Sequence, residues 1–309
     1  MKYNFEDTGS LKLIGNTPLI KLQKIVPKNG VEIWLKVEAG NPTGSYKDRM
    51  ALCVLVQAMK EGKVRKGDTV VEYTGGSTGS SLAFVSAALG LKFIAVFSDA
   101  FSDSKKKTME AYGAKVLIEE SFGKGITPEL ISRMKLKALE LASEPNMFYA
   151  DQFGSHNVLK GYVPMGNEIS ADLESPDVFC AAVGTGGAIM GTWDGLNKEN
   201  SKLIAFEPKQ SPFLTTGEGG AHKVEGIGVG FEPPFFDRSL VSEIRCIDQE
   251  AAFLMCRKLA REEGIFCGGS TGLNVLGALE VAEDLIPGSR VVTLACDSGL
   301  KYLGGHIFP

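Results

Sequence analysis

The residues best suited to chemistry in this sequence are one lysine and three glycine-rich loops. Lys47 lies in "NPTGSYKDRM" (41–50), where a turn rich in Asn, Pro and Gly leads into a helical pattern, so its amine falls in the first turn of a helix. Helix dipoles favour cations at the other end, and the field there is worth roughly 0.3–1 kcal/mol, less than one pKa unit. Burial against a bound group would lower a lysine pKa by more, up to several units. An amine held in that way suits imine formation with a carbonyl compound. Surface pairing with Asp48 or Glu38 is the plainer alternative.

The loops are "TGGSTGSS" (74–81), "GTGGAIMG" (184–191) and "CGGSTGLN" (267–274), each after a strand pattern and before a helical one. Backbone amides at a helix start can point at an anion, and glycine permits close approach. Taken singly, each loop reads as a tight strand-to-helix turn sooner than as an anion cradle, and the three together with Lys47 shift that balance. Neither common nucleotide fingerprint fits: a dinucleotide loop starting at Gly184 needs glycine where Ile189 stands, and no G-x-x-x-x-G-K-[ST] occurs.

Positioning these residues falls to short β-branched runs that alternate with helical patterns. Strands are predicted at "VEIWLKV", "TVVEY", "FIAVF", "AKVLIEE", "DVFCAAV", "SKLIAFEP", "VSEIRCI" and "SRVVTLAC", and "TPELISRMKLKALELASE" opens a helix with Thr127 as cap and Pro128 at its first position. Such alternation implies an α/β fold with mostly parallel, twisted sheets covered by helices. The stretch 208–236 is too rich in Gly and Pro for a long element, and a loop of that length is more often functional than idle. A change of character at 144–157 marks a boundary between two lobes.

The chain has 309 residues, 44% of them hydrophobic, enough for a sizeable core. A formal net charge of -4 gives no general field for nucleic acid or an anionic membrane surface. The lysine run 105–107 reads as a solvated helix face. The N-terminal stretch lacks the apolar region of a signal peptide, and no segment reaches the ~18 uninterrupted apolar residues of a membrane span, which predicts a cytoplasmic protein. Cysteines 53, 180, 246, 256, 267 and 296 read as core residues in a reducing compartment, and His156, His222 and His306 lack metal-site spacing, so no metal is expected.

With these residues in view, the sequence resembles the cysteine synthase and cystathionine β-synthase family, fold-type II enzymes dependent on pyridoxal 5'-phosphate. The likeness runs from "IGNTPL" (14–19) to "CDSGLKYL" (296–303), and its most specific element is "KVEAGNPTGSYKDRMA" (36–51), with Tyr46 where a smaller apolar residue is usual. The resemblance implies that Lys47 is the Schiff-base lysine and catalytic amine. It implies a phosphate loop at Gly184, Thr185, Gly186 and Gly187, with Ala188 in place of a threonine. It places Ser298 at the pyridine nitrogen and Gly228, within "EGIGVGF" (225–231), beside cofactor and substrate. Thr74, Gly75, Gly76, Ser77, Thr78 and Gln152 would meet the substrate carboxylate; Gly75 replaces a serine, and Ser77 replaces an asparagine that reaches the cofactor's ring oxygen.

The resemblance also implies two lobes with the active site in the cleft between them. Residues 35–150 would form a smaller, mobile substrate-binding lobe carrying Lys47 and the 74–79 loop, and 1–34 with 151–309 a larger cofactor-binding lobe. The implied reaction is β-replacement through an aminoacrylate intermediate, O-acetylserine and sulfide giving cysteine and acetate, in a homodimer. Serine acetyltransferase is a partner of such enzymes for which no residue here gives support, and the length leaves no room for a regulatory domain or a haem segment. Glu232, where an apolar residue is usual, is a candidate general base toward water, which would make the enzyme a cysteine lyase releasing hydrogen sulfide. A solvent-facing glutamate is its bland alternative. A non-catalytic cofactor- or small-molecule-binding protein on the same fold is the hypothesis of another class.

Overall fold

The computed structural model describes residues 9–308; residues 1–8, the start of the stretch searched for a targeting segment, lie outside the described residues. The chain divides into two compact units, described separately below with elements numbered in chain order. The smaller comprises Asn41–Gly161 with the described residues before Gly15, and the larger comprises Gly15–Gly40 with the described residues from Tyr162 onward.

The smaller unit holds a four-stranded parallel sheet in the order β5-β4-β3-β6. Its strands are β3 (Thr69–Tyr73), β4 (Lys92–Ser98), β5 (Lys115–Glu119) and β6 (Met147–Tyr149). Helix α1 (Lys47–Lys60) precedes them, and α2 (Ser77–Leu89), α3 (Asp103–Ala111) and α4 (Pro128–Ala142) connect them. Helix α4 shows why the sequence folds this way. Thr127 caps it by accepting the Leu130 N–H, Pro128 fills the first position, and Leu130, Met134 and Ala138, spaced by four, pack on Val71, Tyr73 and Val96 of the sheet. Val70 and Val71 are buried because helices cover the parallel sheet on both faces.

The larger unit holds a six-stranded sheet in the order β1-β2-β10-β7-β8-β9, parallel except for the edge pair β1–β2. Its strands are β1 (Leu19–Lys21), β2 (Glu32–Val37), β7 (Val178–Ala182), β8 (Lys202–Pro208), β9 (Glu243–Ile247) and β10 (Arg290–Ala295). Its helices are α6 (Gly187–Gly195), the short α7 (Phe213–Thr216), α8 (Gln249–Lys258) and α9 (Gly269–Glu283); in sequence the division between units falls inside α5 (Asn157–Leu173). Strand β2 pairs residue for residue with β10 from Glu32↔Arg290 to Val37↔Ala295, which groups residues 35–40 with the larger sheet. Pairing, not local sequence, sets that boundary.

All strands predicted from the sequence are present, while β1 and β6, three residues each, are additional. The lysine run requires a correction. Lys105 is 3% exposed: it lies in the first turn of α3, and its methylenes pack over Gly76, so the solvated face begins at Lys106. No helix among the described residues is long and apolar enough to cross a membrane.

Candidate active site

In the smaller unit, the turn 41–46 is rigidly built before α1 starts. Gly44 N–H donates to the Asn41 carbonyl, and Ser45 Oγ accepts the Lys47 N–H at 3.3 Å. The Asp48 carboxylate accepts from both the N–H (2.8 Å) and the hydroxyl (2.6 Å) of Thr43, whose Oγ1 also lies 3.3 Å from Ser81 Oγ of α2. Lys47 itself is 8% exposed, so its amine is buried and does not lie on a solvated surface. Its Nζ stands 5.0 Å from the centroid of the Tyr46 ring, a contact that a smaller apolar residue at 46 could not make.

The loop 74–79 follows β3, and Gln152 follows the adjacent strand β6, so both emerge at the C-terminal edge of one sheet, where open α/β sheets bind ligands. Thr74 Oγ1 accepts the N–H groups of Gly76 and Gly79, both at 3.0 Å, which leaves its own hydroxyl proton to donate outward. Thr78 Oγ1 donates to Gln152 Oε1 at 2.8 Å, and Gln152 Nε2 donates one of its two protons to the Tyr73 carbonyl. Ser77 and Thr78 open α2, where first-turn amides lack intrahelical acceptors. The structure thus brings Thr74, Ser77, Thr78 and Gln152 together.

It also accounts for the glycine pair. Gly76 has φ +128°, and a Cβ there would fall 2.2 Å from Lys105 Cδ. A Cβ at Gly75 would fall 3.0 Å from the Phe101 ring, so Phe101 occupies room that a serine would need.

Behind this loop stands Glu72, which the sequence reading passed over. It is 0% exposed, and its carboxyl accepts the N–H groups of Tyr73 (3.1 Å) and Gln152 (3.0 Å), fixing the backbone that carries Gln152. Burial pushes its pKa up to about 8, against the pull of these amides, and the nearby charge of Asp151 adds to the rise. The signal was legible: a lone acid in "TVVEY", a strand otherwise buried on both faces, is anomalous.

A carboxyl raised in the fold above its unfolded value stays protonated there while the unfolded chain ionises, so stability is lost as pH rises from the unfolded pKa toward 8. The unfolding free energy of the wild type is therefore expected to fall more steeply than that of Glu72→Gln between pH 5 and 8, by about 1.4 kcal/mol per pH unit. Urea unfolding at several pH values measures both slopes, and equal slopes would show the carboxyl to be ionised in the fold.

In the larger unit the loop 184–188 follows β7, and Ser298 follows the neighbouring β10. Gly186 caps α6 in a left-handed conformation, Gly187 N–H donates to Thr185 Oγ1 at 3.2 Å, and Ala188 lies in the first turn, whose amides point out of the helix start. A Cβ at Gly184 would stand 2.3 Å from the Gly226 carbonyl oxygen, and Gly228 N–H donates to the Val183 carbonyl at 3.0 Å, so the segment 226–228 packs directly on the start of this loop. Ser298 Oγ accepts the Leu300 N–H at 3.3 Å, leaving a neutral hydroxyl to donate.

The ends of β7 and β10 are tied by a residue of the third glycine loop. Asn274 accepts the Ala182 N–H through Oδ1 (2.7 Å) and donates through Nδ2 to the Leu294 carbonyl (2.8 Å). In that loop a Cβ at Gly272 would fall 2.1 Å from the Ala252 carbonyl oxygen, so this glycine serves the packing of α9 on α8.

Glu232 is 49% exposed in a two-point ion pair with Arg238, at 2.8 and 2.9 Å, and Arg238 also donates to the Leu214 carbonyl. The hydrogen bonds from Arg238 hold its carboxyl below the usual range.

The residues present have the donor chemistry for a phosphorylated aldehyde cofactor: a buried primary amine in one unit, and in the other a helix start lined with amides, at a loop too tight for a Cβ, and a neutral hydroxyl. A model of the pyridoxal-phosphate dependent enzyme family matches residues 11–297. The chain belongs to this family. It is similar to the cysteine synthase of Staphylococcus aureus (strain Mu50 / ATCC 700699), 36% identical over 304 residues that cover 96% of each chain. Among solved structures it is similar to an O-ureido-L-serine synthase, with TM-score 0.90 and 34% identity over 97% of this chain and 94% of that one. It is also similar to a hydrogen sulfide-producing enzyme of Fusobacterium nucleatum, with TM-score 0.86 and 36% identity over 95% of this chain and 99% of that one.

Proposed function

We propose that the protein is a cysteine synthase-type enzyme that carries out β-replacement on a small amino acid, O-acetylserine and sulfide giving cysteine and acetate. The observation that carries this is the buried amine of Lys47 opening α1, in a chain 36% identical over nearly its whole length to a cysteine synthase. Bound pyridoxal phosphate supplies an electron sink for the pair left at the substrate Cα when its proton departs. Lys47 Nζ would hold the cofactor aldehyde and, when free, would accept that proton. The amides of Ser77 and Thr78, the Thr74 hydroxyl and the second Nε2 proton of Gln152 hold the substrate carboxylate. The loop 184–188 holds the phosphoryl group, with Gly228 alongside. Ser298 offers the pyridine nitrogen a neutral hydroxyl, which favours an unprotonated ring and so β-elimination and replacement over transamination.

A second reading is sulfide release from cysteine, favoured by the likeness to a hydrogen sulfide-producing enzyme and by the carboxylate at 232. For Glu232 to act as a base it must leave Arg238, which depresses its basicity. Absorbance of the holoenzyme on adding O-acetylserine, cysteine and serine in turn, with sulfide followed as it is consumed or released, separates the two. Uptake with O-acetylserine is expected. Should release from cysteine dominate, Glu232→Gln is expected to lower it roughly a hundredfold with cofactor still bound, and unchanged turnover would remove Glu232 from the mechanism. The same family likeness supports a homodimer and a cytoplasmic setting.

A further inference from the structure

The irregular stretch between β8 and β9 contains one imidazole whose two nitrogens are both engaged. His222 Nδ1 accepts the Val224 N–H at 3.2 Å, and Nε2 lies 2.9 Å from the Gly228 carbonyl oxygen. A carbonyl can only accept and an amide N–H can only donate, so the ring is the neutral tautomer with its proton on Nε2. The ring rests on Gly228, at φ +62°, where a Cβ would fall 2.8 Å from Nε2. Val224 and Ile227, on the loop that the ring closes, are buried in the large core. That closed loop is the wall of the glycine turn after β7, through the Gly228–Val183 hydrogen bond and the contact of Gly226 with Gly184.

We propose that His222 is a positioning residue for the cofactor: its neutral ring holds 224–228 against Val183–Gly184, and its protonation releases that wall and weakens the hold on the phosphoryl group. The inference rests on 184–188 being the phosphate loop. Protonation places a second ring N–H at Nδ1, facing the Val224 N–H, and two donors then confront each other. Burial lowers the His222 pKa, opposed by the Gly228 carbonyl. Lys223 and Glu225 are its charged neighbours in sequence. A histidine lowered in the closed form keeps the loop closed above its ordinary value near 6.5, and closure weakens as pH falls below that value.

The test is cofactor retention by the holoenzyme during dialysis at pH 7.5 and 5.5, read from its absorbance, for the wild type and for His222→Gln, which cannot be protonated. The phosphate's own titration is common to both chains. Wild type is expected to release cofactor about tenfold faster at pH 5.5, and His222→Gln to release it faster than wild type at pH 7.5 with a much flatter response to acid. The same acid response in both chains, or none in the wild type, overturns the proposal. Nitrogen-15 imidazole spectra of the wild type, which has three histidines, give a test independent of the variant's folding: a neutral ring protonated on Nε2 and titrating below the usual range is expected, and a ring protonated on Nδ1 or titrating normally overturns it. If Gly184→Ala retains cofactor as the wild type does, the phosphate loop lies elsewhere; if it loses cofactor while the acid response proves independent of His222, the inference about His222 alone falls.

Discussion

Replacing Lys47 with alanine is expected to lower turnover by roughly a thousandfold or more, since one amine serves as both the covalent anchor and the proton acceptor. Lys47→Arg should fare little better, because a guanidinium keeps the charge but does not deprotonate at working pH. The effect is separable from unfolding. The alanine variant keeps the backbone N–H bond from position 47 to Ser45 Oγ and the Thr43–Asp48 bonds that fix the turn, so it should fold cooperatively and still bind cofactor without a covalent link. Borohydride reduction followed by peptide mapping is the decisive measurement: the wild type should yield a single pyridoxyl adduct at Lys47 and the alanine variant none. An adduct on another residue would remove Lys47 from the centre of the mechanism.

Gly184→Ala is expected to cost cofactor affinity about a hundredfold, equivalent to roughly 2.7 kcal/mol. The reason is backbone against backbone. The new methyl would stand 2.3 Å from the Gly226 carbonyl oxygen, and neither a Cβ fixed by its backbone nor a carbonyl has a rotamer that relieves the clash. Either the turn after β7 moves or the segment 226–228 moves, and the Gly228–Val183 hydrogen bond is strained in both cases. Binding of pyridoxal phosphate to the apoenzyme, followed by its absorbance, measures the loss. Unaltered affinity would mean that this turn does not hold the phosphoryl group.

Much of the architecture was legible because its signals are local. Thr127 and Pro128 announce α4, and the β-branched runs announce eight of the strands. Strands β1 and β6 were not legible, since three residues are too few to show a period, and pairing with a neighbour is what makes them strands. Lys47 was legible from its motif, but its burial was not, because burial is decided by elements distant in sequence. The lysine run misled for the same reason: three successive lysines suggest solvent, yet the first turn of α3 carries Lys105 inward over Gly76. Two of the glycine patterns marked the ends of β3 and β7, while the third, 267–274, follows a helical segment and not a strand, and none showed what each glycine makes room for. Gly184 admits a carbonyl, Gly75 an aromatic ring and Gly272 a neighbouring helix. His222 lies in a stretch with no periodicity, and only the folded loop shows that both ring nitrogens are engaged.

The ring of Phe101 over Gly75 ties together two positions that are 26 residues apart in the chain. Side-chain bulk at one is exchanged for bulk at the other, so a serine at 75 requires the ring to shift or shrink. Changes at this turn are therefore paired: trimming residue 101 opens room for a hydroxyl at 75, and keeping the phenyl group closes it.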